Sequence, residues 1–287
     1  LTAGSFNSPK LLMLSGIGEE EELNKHSIKK IFISKGVGQN LQDHHEVSVI
    51  AKTKPGYGYF GEDKGLKMLK NILQYLLFKD GPAATIGCDG CTFLNPDRTS
   101  KDYTEEPSIK LYCVPKVQLD KNVKDIGQFD GITLNSVLMR PKSRGEIKLK
   151  SSDPNDMPLL NPNYLSHDDD KRLQISAFKY SREILNSKPL NEIIINEIFP
   201  GESIKTDEDI LNHCKKSIKT NWHPVGTCKM GAEADIYAVC DINLRVKGVR
   251  GLRIFDASSF PNLVAGNTNA PVIAFALKAV TELINEY

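Results

Sequence analysis

Residues 221–231 read Asn-Trp-His-Pro-Val-Gly-Thr-Cys-Lys-Met-Gly and set one histidine, His223, between the chain's single tryptophan, Trp222, and a proline. Proline confines the residue before it to an extended backbone, so His223 is held in place. A fixed imidazole suits removal of a hydroxyl proton, although a histidine beside tryptophan, taken alone, is more often a packed core group. A second stretch, DASSFPNLVAGNTNAP at 256–271, supplies Asp256 after an apolar run, then Asn267, then the first turn of an apolar helix. α/β proteins bind ligands at the carboxyl ends of strands, and helix N-termini stabilise negative charge. A histidine, an amide and a helix N-terminus together suit a reaction that delivers negative charge to a cofactor ring.

Two other patterns carry less. Gly56-Tyr57-Gly58-Tyr59-Phe60-Gly61 matches G-x-G-x-x-G, but Lys54-Pro55 precede it and Glu62-Asp63 follow. Acidic groups would repel a pyrophosphate and the aromatic rings would crowd its approach, so the stretch reads as an aromatic loop. Cys88 and Cys91 form a lone C-x-x-C with no second ligand pair nearby, so no metal site is expected.

The elements that must position these residues follow from periodicity. Ser8-Pro9 reads as the cap and first turn of a helix ending at Gly16. Residues 64–79 and a stretch capped by Ser166 have helical apolar spacing, and another helix is expected over 207–218. Alternation at Ile109/Leu111/Cys113, Ile132/Leu134 and Ile147/Leu149 predicts an antiparallel sheet with one face covered. Leu252–Phe255 reads as a short strand. The helix after Asn269 is apolar nearly all round in its first half and is therefore expected to be buried. These elements divide into 46–209, a sheet-plus-helix unit, and 1–45 with 210–287, two visits to a second unit.

Composition excludes some classes. With 37 basic and 36 acidic residues, the net charge of +1 gives no electrostatic footprint for nucleic acid. No apolar run is long enough to span a membrane. Six cysteines in 287 residues do not make a disulfide scaffold. The chain opens on Leu1-Thr2-Ala3-Gly4 with no signal or transit segment and reads as cut from something longer. Its localisation is therefore not legible.

The motifs GSFNSPKLLMLSGIG at 4–18, VGQNLQDH at 37–44, RPKSRGEIKLKSSDP at 140–154, HPVGTCKMG at 223–231 and GLRIFDASSFPNLVAGNTNAP at 251–271 occur in one order. In that order the chain resembles the glucose–methanol–choline (GMC) flavoprotein oxidoreductases, most closely their insect glucose-dehydrogenase-like branch. The resemblance implies an α/β and α+β fold: an incomplete Rossmann-type FAD-binding domain (1–45 and 210–287) and a substrate domain (46–209) with a mainly antiparallel sheet flanked by helices. It implies that His223 takes the hydroxyl proton of an alcohol or sugar while hydride passes to flavin N5, and that Asn267 hydrogen-bonds the substrate oxygen. FAD would lie near Ala3, Gly4, Asp256, Ala257, Thr268, Asn269 and Pro271, with Trp222 as a packing wall. His44 and His45 are read as structural or rim residues. Substrate choice would rest on loops around 54–64 and 85–125, and the electron acceptor would be oxygen or a quinone-like carrier. The family's N-terminal glycine fingerprint is missing, so the alternative is a cofactor-free, non-enzymatic fragment. A flavin-containing lyase on the same fold is a third option that no residue selects.

Overall fold

The computed structural model describes all residues except 89, 97–105, 119–126, 128 and 287. Parts of the expected specificity loop at 85–125 thus lie outside the described residues. In chain order the helices are α1 (Gly4–Leu14), α2 (Glu20–Lys25), α3 (Gly65–Phe78), α4 (Asp168–Leu185), α5 (Asp207–Ser217) and α6 (Asn269–Asn285). The strands are β1 (Ile17–Gly18), β2 (Phe32–Ile33), β3 (His45–Thr53), β4 (Gly90–Leu94), β5 (Ile109–Val114), β6 (Gly131–Leu138), β7 (Glu146–Lys148), β8 (Leu159–Asn161), β9 (Ile194–Phe199) and β10 (Lys219–Thr220). They form two units: Leu1–His44 with Arg140–His167 and Thr220–Tyr287, and His45–Met139 with Asp168–Lys219.

The second unit is built on antiparallel strands in the order β3-β6-β5-β4, with β9 also pairing with β3. β6 is buried along its whole length and β3 along nearly all of it, so these strands are covered on both faces, not on one as the alternation predicted. α4 lies against β6, where the Gln174 amide donates to Ser136 Oγ at 2.9 Å. Ala177 joins Ile109, Leu111 and Leu138 in one apolar cluster. Arg182 stacks on Phe178 and forks onto Glu197 of β9 at 2.7 and 2.8 Å, a bidentate pair that fixes both partners. α5 starts where Thr206 and Asp209 make a reciprocal capping box. Gly56–Gly61 forms turns between β3 and α3 beside this antiparallel sheet, which is not the setting of a dinucleotide loop.

Two histidines of this unit set its acid sensitivity. Burial lowers the pKa of His45 to about 4. His213, packed against Phe178 and Phe199, is lowered to about 4 by burial and then by the charge of Arg182. Both are neutral when folded, whereas the unfolded chain binds a proton below the ordinary histidine value of about 6.5. The unfolded state therefore holds more protons between about pH 4 and 6.5, and folding stability rises with pH across that window. The urea midpoint of this unit is expected to fall as pH is lowered from 6.5 towards 4, with His213→Leu flattening the slope.

In the first unit the core gathers Leu12 and Met13 of α1, Ile17, Leu23, Leu41, Ile147, Leu149, Val239 and Ile254. This clustering is why 140–167 belongs with the termini and not with the middle unit, as the expected boundaries had it. β7 pairs with β8 in a separate two-stranded sheet, so Ile147 and Leu149 lie apart from the main sheet. α1 begins at Gly4, not at Ser8. The Ser8 hydroxyl donates to Asp256 instead of capping, and Pro9 is interior. Proline there leaves the carbonyl four residues back without its helical donor; Ser5 O accepts from Thr227 Oγ1 at 2.7 Å.

Two further expectations are corrected. Leu252–Phe255 is not a strand of a sheet; it makes an isolated bridge, Arg245 to Arg253, and alternating bonds with Leu1, which are too few for a ladder. α6 is not buried: Ala279 alone is, while Ile273, Leu277, Val280 and Ile284 are exposed. Its apolar composition asks for a cover that these residues do not provide.

Candidate active site

The His223 loop is held between two neighbouring segments of the first unit. Gln42 and Val225 exchange both backbone hydrogen bonds, and Asn221 N–H donates to His44 O at 2.7 Å. On the other side Gly226, Cys228 and Met230 donate to the carbonyls of Ala257, Ser258 and Ser259 at 3.0, 2.7 and 2.8 Å. Gly226 has φ 89°, and a Cβ there would sit 2.8 Å from Asn40 O, so this turn admits only glycine without rearrangement. Gln42 also clamps the following loop: its amide donates to Pro261 O and accepts from Leu263 N–H, each at 3.1 Å.

At the centre is Asp43, buried to 6 % exposure. Its Oδ2 accepts from Tyr164 Oη at 2.5 Å and Thr220 Oγ1 at 2.6 Å, and its Oδ1 accepts from the His223 backbone N–H at 2.9 Å. Burial raises the Asp43 pKa, opposed by these donors and by the His44 N–H. Tyr164 is raised as well, by its own burial and by the nearby Asp43 charge, so it stays a protonated donor. The His223 ring is half-buried, and its Nδ1 lies 2.9 Å from Nδ1 of the buried His44, the two rings being nearly perpendicular.

The other expected residues are distributed unevenly. Trp222 is 71 % exposed with φ 58°, its backbone N–H donating to Thr220 Oγ1. Asp256 accepts from Gly4 N–H, Ser8 Oγ and Ser258 N–H at 3.1, 2.6 and 2.8 Å. It is therefore committed to capping the turn and to joining it to α1, with Ala3 as the residue before that helix. Asn267 is exposed, Thr268 buried and Asn269 exposed at the start of α6, where Pro271 falls in the first turn and needs no donor. Val225, Phe260 and Leu263 pack with Val272 and Phe275 of α6, tying that helix to the His223 loop.

FAD can be tested against this arrangement. No side chain caps the first turn of α6, so its N–H groups are available to an electron-rich group. That, with Asn267 and His223, fits the ring end of a flavin. The pyrophosphate end finds no glycine-rich turn between a parallel strand and a helix among the described residues, nor any cluster suited to a metal. Asp43, Gln42, Tyr164 and Thr220 were not singled out from sequence. Gln42 and Asp43 had one visible signal, their place in the VGQNLQDH motif; Tyr164 and Thr220 had none.

Two family models described as GMC oxidoreductase match residues 1–46 and 141–276, more than half of the chain together. The chain belongs to the GMC oxidoreductase family. An oxygen-dependent choline dehydrogenase of Brucella anthropi is 37% identical over 99% of this chain and 51% of its own length. An alcohol dehydrogenase (acceptor) of Pseudomonas putida is 35% identical over 100% of this chain and 51% of its own. The chain thus spans about half the length of the curated relatives it matches. Among solved structures, a formate oxidase of Aspergillus oryzae RIB40 studied for FAD modification superposes with TM-score 0.89 at 27% identity, covering 100% of this chain and 54% of that one. These relatives support the GMC family, its mixed α/β fold and FAD as its cofactor. The two curated relatives are bacterial choline and alcohol dehydrogenases, and so correct the expected insect glucose-dehydrogenase-like branch.

Proposed function

We propose that this GMC chain is the portion of an FAD-dependent alcohol oxidoreductase that carries its proton-handling residues. The observation that carries the reading is the His223 ring held 2.9 Å from His44, on a loop whose Val225 packs in one cluster with Val272 and Phe275 of the uncapped α6. His223 accepts the hydroxyl proton of the alcohol at Nε2, since Nδ1 is engaged with His44. Asn267 holds the substrate oxygen, and the α6 N-terminus, with Thr268, Asn269 and Pro271, faces the flavin ring and favours negative charge there. Bound FAD supplies the hydride acceptor for the alcohol carbon. Ala3, Gly4, Asp256, Ala257 and Trp222 would line the rest of the bound cofactor. Choline-like alcohols, simple alcohols and sugars are the substrate classes, with oxygen or a quinone-like carrier as acceptor.

A second reading is that this chain on its own holds no flavin and is not an enzyme. The exposed apolar residues of α6 favour it. The visible spectrum decides between them. The chain is produced with excess FAD, desalted and scanned, then given alcohols and sugars without oxygen. A retained flavin band that bleaches with an alcohol supports the first reading; a colourless chain supports the second.

A further inference from the structure

The Nδ1 atoms of His44 and His223 are 2.9 Å apart, a separation at which two imidazole nitrogens share a single proton. One Nδ1 must carry N–H and the other a lone pair. If His44 is the donor, neutral His223 carries its own proton on Nε2 and can accept none there. If His223 is the donor, its lone pair lies on Nε2, and uptake of a proton there keeps the Nδ1–H bond to His44 and strengthens it by charge. We propose that His44 is a positioning residue for His223: it accepts from His223 Nδ1–H and so selects the tautomer whose Nε2 can take a proton.

The surroundings hold this pairing in place. Asp43 accepts from the backbone N–H of His223, and the same carboxylate receives the His44 N–H, so one buried group fixes both backbones. Asn221 N–H on His44 O and the extended conformation imposed by Pro224 remove most of the remaining freedom. His44 is 1 % exposed, so its ring is packed in place, while His223 is half-buried. Tyr164 and Asp43 are the other titratable groups of this network. Tyr164 remains protonated and donates to Asp43.

The inference rests on His223 being the base, but its test reads no turnover. The 287-residue chain, labelled with ¹⁵N-histidine, is examined by long-range ¹H–¹⁵N correlation at a pH where both rings are neutral. His223 is expected as the Nδ1–H tautomer and His44 as the Nε2–H tautomer. His44→Ala should move the His223 tautomer ratio about tenfold towards Nε2–H, the effect of one ordinary hydrogen bond. His44→Asn, whose Oδ1 can accept, should restore it. An Nε2–H His223 in the unaltered chain overturns the proposal without any variant, as does a folded His44→Ala chain with an unchanged ratio. If the tautomers are as expected but a flavin-loaded enzyme keeps its turnover after His223→Ala, the base assignment fails and the positioning of the ring stands.

Discussion

Replacing His223 by alanine in the flavin-loaded enzyme is expected to slow alcohol oxidation by at least about a hundredfold, the usual scale of a positioned general base. The loss should fall on kcat and on kcat/KM together, because removing a proton acceptor weakens the transition state more than the bound substrate. Flavin content and substrate affinity should change little. The ring is half-buried, and its backbone N–H bond to Asp43 survives truncation at Cβ, so the loop keeps its shape. Rapid-mixing measurement of flavin reduction, which isolates the chemical step from release, checks this directly. A reduction rate within about tenfold of the unaltered enzyme would assign the proton to another group, and Asn267, an amide, could not be that group.

How much of this was legible in the residues depended on whether a constraint is local. Gly226 must be glycine because a Cβ would strike Asn40 O, and Pro224 must extend His223, so the motif around the base survives as a readable string. The α6 run behaves differently. Its composition states that Ile273, Leu277 and Ile284 favour burial, but composition cannot state which segment buries them. The period-two pattern at Ile147 and Leu149 identified a strand and was silent on its sheet, and pairing with Leu159–Asn161 set it in the first unit. Ser8-Pro9 has the chemistry of a helix start, yet tertiary bonds from Ser8 to Asp256 and from Thr227 to Ser5 make an interior position tolerable. Asp43 was the least legible. It acts on His223 through a backbone amide 180 positions away, and no spacing rule connects the two.

Asp256 decides between two roles that a sequence cannot separate, capping a turn and touching a cofactor. Its carboxylate serves Gly4 N–H, Ser8 Oγ and Ser258 N–H while 6 % exposed. Asp256→Ala would strand those donors in a buried setting, where each unsatisfied group costs about 1–3 kcal/mol and some recover by rotating or taking in water. A net loss of about 3 kcal/mol is expected in the absence of any flavin, a fall in Tm of roughly 10 °C for a unit of this size. Asp256→Asn should lose less, since Oδ1 still accepts from Ser258 and the new amide can donate to the Ser8 oxygen, leaving the Gly4 N–H as the main casualty. Thermal melts of the flavin-free chain and both variants measure this. A melt unaffected by Asp256→Ala would mean that the bonds joining α1 to the 256–258 turn contribute nothing to stability. The carboxylate's place beside the proposed flavin wall would then have to be explained by the cofactor alone.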